Sequence, residues 1–193
     1  MNFDHNEHMS TTTPGLLLQS IPYLGQKKIL KIFTPEKGLL SFFASKTNLD
    51  PFCLAEWVYR PTERDIHSLR DSTLLDPFLH LRESYPALLA AGSIAQDLLK
   101  TQMPNKKASE LFELALLYFR KLPASPELLA ASFRLKLLLH EGLLSSEPDP
   151  AFSPPEWDQV HTLAFSRKIS TILTLTAAPH AKIRFMFEEK FGF

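Results

Sequence analysis

Up to about residue 70 the apolar positions of this chain alternate with polar ones in short runs. Beyond Leu74 they recur every three or four residues. The alternating part predicts five strands. Residues 15–21 form a short apolar run closed by Pro22. In 28–34, Leu30 and Ile32 face one way and Ile29, Lys31 and Phe33 the other. Residues 39–44 follow the turn Thr34-Pro35-Glu36-Lys37-Gly38. In 52–59, Phe52, Leu54 and Val58 share one parity and Trp57 and Tyr59 the other. Residues 66–70 follow the turn cluster 61–65. Short strands about ten residues apart, with no helix between most of them, predict a small barrel. An OB-fold is the natural candidate, although periodicity by itself fits an SH3-like barrel as well.

The helical part opens with Leu88, Leu89, Ile94, Leu98 and Leu99 at helical spacing. An amphipathic helix is predicted over 109–122, ended by Pro123. Another is predicted from Ser125-Pro126 to His140 or Glu141, with Ser125 as N-cap, Pro126 at the first helical position and Gly142 beyond its end. Residues 145–155 (SSEPDPAFSPP) read as a linker. A helix from the Ser153-Pro154-Pro155-Glu156 start to about 176 and a last helix over 180–191 complete the chain. Strands followed by helices argue for separate domains, α+β in class. The expected layout is a polar, disordered tail over 1–14, an OB-fold β-barrel over 15–73, and an all-α helical domain over 74–193 with a break at 145–155.

Composition narrows the function. Hydrophobic residues make up 45% of the 193, enough for two small cores. No apolar run approaches the roughly 20 residues of a membrane span, and the N-terminal stretch lacks the basic and apolar regions of a secretory signal, so a cytosolic protein is expected. One cysteine, Cys53, excludes an intrachain disulfide and a multi-thiolate zinc site. The 15 prolines outnumber the 6 glycines, and neither a GxGxxG nor a Walker-type phosphate loop is present. Net charge is zero, but the cations are not evenly spread. Residues 26–46 hold Lys27, Lys28, Lys31, Lys37 and Lys46 against Glu36 alone. Residues 161–193 hold five cations against two acids. Two basic patches on a neutral body point to local, moderate electrostatics.

Catalytic candidates are few. Asp4-His5-Asn6-Glu7-His8 offers metal-ligand types but no element to fix their geometry. Cys53 sits between Phe52 and Leu54 in a predicted strand, a barrel position rather than an activated thiol. No G-x-S-x-G elbow occurs, and His67, His80, His140 and His161 have no pairing spacing. The expectation is a non-enzyme with neither cofactor nor metal. The second and third strands fit single-strand binding better, with the 24–27 and 61–65 loops at their edges. Lys27, Lys28, Lys31, Lys37, Lys46 and Arg64 are the candidate phosphate contacts, and Phe33, Phe42 and Phe43 the candidate stacking faces, some of them core. An ordinary solvated lysine face over an aromatic core accounts for the same residues equally well.

The order Gly15-Leu16-Leu17-Leu18-Gln19-Ser20, Pro22-Tyr23, and Ile29 through Gly38 resembles the first hairpin of the RecO recombination mediators. Pro51-Phe52, the 66–73 strand, the 109–122 and 133–142 helices and a closing Ala181-Lys182-Ile183-Arg184-Phe185 also resemble that family. The resemblance implies an N-terminal OB-fold and a C-terminal helical domain, and adds Lys182 and Arg184 to the DNA-contact candidates. It implies a bacterial, nucleoid-associated, cytoplasmic protein that binds single- and double-stranded DNA and anneals complementary strands. With RecR it would load RecA on strands coated by SSB, whose acidic, Phe-ended C-terminal tail docks on the helical domain. The chain departs from the family in two places. The four-cysteine zinc motif of many members is replaced by 145–155, and the basic loop after the third strand retains only Lys46. The second departure keeps an alternative in view: a protein-interaction adaptor of the same fold that has lost most DNA binding.

Overall fold

The fold is known from a computed structural model that describes residues 10–193. The His-containing cluster 4–8 lies outside the described residues. Two compact units emerge. One comprises the N-terminal region to Pro77 together with Gln102–Ser109; the other comprises Phe78–Thr101 and Glu110–Phe193.

The first unit is a closed barrel of five strands in the order β1-β2-β3-β5-β4. These are β1 (Thr11–Tyr23), β2 (Lys27–Thr34), β3 (Gly38–Ala44), β4 (Leu54–Arg60) and β5 (Ile66–Asp76). All neighbours are antiparallel except β3 and β5. This is an OB-type barrel, the natural candidate among the small barrels that the alternation allows. One parity of each strand fills it: Leu17, Leu30, Ile32, Leu40, Phe42, Ala55, Trp57 and Tyr59 form the core, with Cys53 among them. Gly15 lies where a Cβ would run into Ile32 and Trp57, and its carbonyl accepts a 2.9 Å hydrogen bond from Trp57 Nε1. The missing side chain thus lets the indole cross beneath β1.

The first and last strands exceed their sequence limits. β1 starts at Thr11, inside the expected tail, because 11–16 pair with β4 from Tyr59 to Leu54. It continues to Tyr23, past Pro22, whose partner is Lys28. β5 runs six residues beyond Arg70, paired to β4 as far as Leu54.

Residues 102–109, expected in the helical domain, return to the barrel. Pro104 bridges Gly38, Asn105 N–H donates to the Lys37 carbonyl at 2.8 Å, and Ala108 N–H to the Pro35 carbonyl at 2.8 Å. Lys107 and Ser109 both bind the Glu36 carboxylate, at 3.1 and 3.0 Å. Gly38 has φ of 60°, and a Cβ there would meet the Met103 and Lys106 carbonyls. Only glycine admits this clasp on the β2–β3 turn.

The second unit is helical: α1 (Tyr85–Thr101), α2 (Ser109–Lys121), α3 (Pro126–His140), α4 (Pro154–Phe165), α5 (Ile169–Ile172) and α6 (His180–Phe191). Helix α3 is central and packs on α1, α4 and α6. A buried relay joins α2, α3 and α4: Tyr118 and Ser132 hydroxyls lie 2.7 Å apart, and Ser132 donates to the Leu163 carbonyl at 2.7 Å. Burial pushes the Tyr118 phenol pKa upward. The helix expected to reach residue 176 stops at Phe165, and α5 is a separate turn. Lys136 Nζ draws the Ala164 and Ser166 carbonyls at 3.0 and 2.7 Å, satisfying the frayed end. At the other end of α4, Glu156 closes a capping box on Ser153. Among the described residues no helix is long and apolar enough to cross a membrane.

Candidate nucleic-acid interface

The barrel registers put three rows of residues on the outer face of β1, β2, β3 and β5. Tyr23 faces Lys27. Ile21, Ile29, Phe43 and Ser68 form the next row, and Gln19, Lys31, Ser41 and Ile66 the third. Ile21, Tyr23 and Ile66 are 37%, 47% and 40% exposed, more than a sheet face needs unless it meets something. Phe43 is the centre of this face. Tyr23 meets it edge to face, with ring centroids 6.1 Å apart, and Lys27 Nζ lies 5.7 Å above its ring. Lys31 Nζ donates to Ser41 Oγ at 2.8 Å, which fixes the cation without neutralising it.

The 61–65 loop borders this face. A groove of about 370 Å³ is lined by Phe43, Arg64, Ile66, His67 and Ser68 among others. The loop is stiffened from within. Thr62 Oγ1 donates to the Ile66 carbonyl at 3.1 Å and accepts from Arg64 N–H at 3.3 Å. Thr62 N–H donates to His67 Nδ1 at 3.2 Å. The His67 ring stacks on Tyr59, and burial lowers its pKa, the nearby Asp65 opposing. A neutral ring is what an accepting Nδ1 requires.

The eight candidate cations therefore separate. Lys27, Lys31 and Arg64 surround Phe43. Lys28 has the core parity of β2 and reaches the Thr47 carbonyl at 3.4 Å, in the loop that carries exposed Lys46. Lys37, on the β2–β3 turn, shares a second pocket of about 350 Å³ with Arg64, Tyr59, His67 and Asn105. Lys107, brought in by the clasp, neutralises Glu36 and holds its carboxyl below the usual range, with the Ser109 hydroxyl helping. Lys182 and Arg184 belong to the helical unit and each already has an acid: Glu156 at 2.6 Å and Glu188 at 2.9 Å. Of the three candidate stacking rings, Phe33 and Phe42 are fully buried and Phe43 remains on the face. Sequence reasoning misses Tyr23, because Pro22 reads as the end of the strand. The partial signal was its position opposite Lys27 once the hairpin is folded in register.

The helical unit has a groove of its own, about 560 Å³, between α1, α3 and the start of α6. Tyr85, Leu89, Ala90, Ser93, Arg134 and His180 are among its lining. Tyr85 and Leu89 are 73% and 56% exposed. Arg134 supplies a cation from α3, bonded to Ser93 Oγ and 2.8 Å from the Asp97 carboxylate. Among the described residues no group of three His, Cys, Asp or Glu side chains is placed to hold a metal ion.

A five-stranded barrel in this strand order, with a cationic aromatic face bordered by its β4–β5 loop, defines an OB-type domain, here joined in one chain to a helical domain. Residues 9–78 match the family described as recombination protein O N-terminal. The chain belongs to the RecO family. It is 34% identical over 147 residues to DNA repair protein RecO of Chlamydia trachomatis serovar D, covering 70% of this chain and 60% of that protein. It is 32% identical over 151 residues to the protein of the same name from Chlamydia pneumoniae, 72% and 60% covered. The corresponding protein of Thermodesulfovibrio yellowstonii is 26% identical over 125 residues, 58% and 50% covered. The chain thus spans about 60% of the length of the chlamydial relatives.

Proposed function

We propose that this chain is a non-enzymatic recombination and repair mediator, cytoplasmic and nucleoid-associated, that binds DNA through the outer face of its barrel. The carrying observation is the Tyr23–Phe43 pair with Lys27 above the ring, bordered by the Arg64 loop. Every base has a π face, so such a platform accepts single strands of any sequence while lysines track the backbone. Strand annealing, and loading of RecA together with RecR on SSB-coated strands, are the activities that family membership adds to this reading; double-stranded DNA is a further ligand. The test is anisotropy of a labelled single-stranded oligonucleotide with Tyr23→Ala and Phe43→Ala. Each should weaken binding by about 1–3 kcal/mol, the range for one stacked base. Unchanged affinity in both variants removes this face from the interface.

A second reading, a protein adaptor with little DNA affinity, is favoured by the groove of the helical unit. Tyr85 and Leu89 offer apolar surface beside the Arg134 cation. That combination suits an acidic tail ending in phenylalanine, as SSB carries. A labelled tail peptide should bind and be lost in Leu89→Asp. Tight peptide binding with negligible DNA affinity at physiological salt would favour the adaptor reading over the first.

A further inference from the structure

Arg134 is the cation of the helical groove, yet in this structure it is already occupied. Asp97 on α1 lies 2.8 Å from its Nε, and both groups are largely shielded, with side chains 8% and 17% exposed. The pairing is close but poorly aligned. Neither Asp97 Oδ2 nor Arg134 Nε makes a hydrogen bond of good geometry, and the Nη2 to Oδ1 contact is 3.5 Å. The side-on bidentate arrangement that makes an Arg–Asp pair strong is therefore lopsided, one contact short and the other at the limit of a hydrogen bond. The guanidinium is instead held by Ser93 Oγ on one side and by the Phe187 ring, 5.9 Å from its centre, on another. Those neighbours keep Arg134 in place whichever carboxylate it faces.

Resting on the reading that this groove takes an acidic peptide, we infer that Asp97 is a positioning residue that yields Arg134 to the incoming carboxylate, so that peptide binding takes up one proton at Asp97. Ligand carboxylate, Arg134 cation, Asp97 carboxylate and a solvent proton become an Arg134–ligand ion pair and a neutral Asp97 acid. Charge and atoms balance without another reactant. The exchange is feasible because Asp97 is poorly solvated. Burial raises its pKa to about 6, chiefly through desolvation, while Arg134, Lys100 and Arg184 pull the other way. When a peptide carboxylate takes Arg134, the largest of those opposing influences weakens and a second negative charge approaches, so the proton is held more tightly still. The remaining charged or titratable groups at the groove are Tyr85 on α1, Glu127 on α3 and His180 at the start of α6.

The test is binding of a labelled acidic peptide ending in phenylalanine to the whole chain between pH 8 and 5. Affinity should rise as pH falls, by up to about tenfold per unit for one linked proton, and level off below about 6. Asp97→Asn should bind at pH 8 nearly as tightly as the wild type does at pH 6, with a flat profile. His180→Gln should keep the slope, which assigns the slope to Asp97. Calorimetry of the wild type in two buffers of different ionisation enthalpy should show about one proton taken up near pH 7, a readout that holds even if the Asp97 variant does not fold. Binding that is independent of pH, with no proton uptake, overturns the inference and leaves the groove reading standing. No binding to wild type at any pH overturns both.

Discussion

If the barrel face and not the closing helix meets DNA, the salt dependence of binding will show it. Lys27 and Lys31 face outward beside Phe43, one over its ring and the other on a serine hydroxyl, and neither has a carboxylate partner among the described residues. A phosphate bound to either displaces counterion from the strand, at about 0.7 in the log–log slope per contact on single strands. Lys27→Ala/Lys31→Ala should therefore flatten the slope by about 1.4, which between about 50 and 200 mM salt is a roughly sevenfold smaller loss of affinity. Arg184, by contrast, is paired one helical turn away with Glu188. The charge-neutral swap Arg184→Gln/Glu188→Gln should leave the slope within about 0.3 of wild type, and exposed pairs of this kind contribute little to folding. The assay is anisotropy of a labelled oligothymidine titrated at several sodium chloride concentrations. A slope altered as much by the Arg184 swap as by the lysine pair would refute the assignment of DNA to this barrel face alone.

Three further outcomes test the scaffold. Gly38→Ala should cost at least about 2 kcal/mol, since it forces a left-handed φ on a residue whose Cβ meets two carbonyls, and trypsin should cut sooner after Lys106 and Lys107; an unchanged urea midpoint would contradict the clasp. Ser132→Ala should cost about 1–3 kcal/mol by leaving the buried Tyr118 hydroxyl and Leu163 carbonyl unpaired, and Tyr118→Phe should cost less in the same denaturation experiment, because Ser132 keeps its acceptor. The Lys182 side chain first, then the Ser153 N–H and hydroxyl, hold Glu156 down to about 2 from 4.5. Its contribution is therefore present above about pH 4.5 and lost as pH falls through 2, so the melting temperatures of Glu156→Gln and wild type should differ at pH 7 and converge near pH 2.

The β2–β3 hairpin was legible to within a residue because alternation and a Thr-Pro-Glu-Lys-Gly turn point the same way. The ends of β1 and β5 were not. Thr11 to Pro14 carry no alternation of their own and are strands only because β4 lies alongside, and Leu74 and Leu75, 45% and 53% exposed, imitate the first leucines of a helix. The helix expected over 153–176 is too long because no glycine or proline interrupts the sequence between Pro155 and Pro179; its actual end lies where a lysine from α3 claims the carbonyls. The site divides the same way. Lysine-rich strands are visible in a sequence, whereas Tyr23 at Phe43 depends on strand register and Arg134 at Asp97 on a contact 37 residues apart.

Residues 102–109 also bear on how the chain is made. Their partners lie far behind them: the Ser109 hydroxyl reaches the Pro35 carbonyl across 74 positions. During synthesis all five strands emerge before the segment that latches the β2–β3 turn, and α1 must emerge in between. A nascent chain halted near residue 78, where the family match ends, would hold a barrel whose Pro35 and Lys37 carbonyls still await their donors. The segment that satisfies those two carbonyls therefore ends about thirty residues beyond the family boundary, and the chain must pass through α1, part of the helical unit, to reach it.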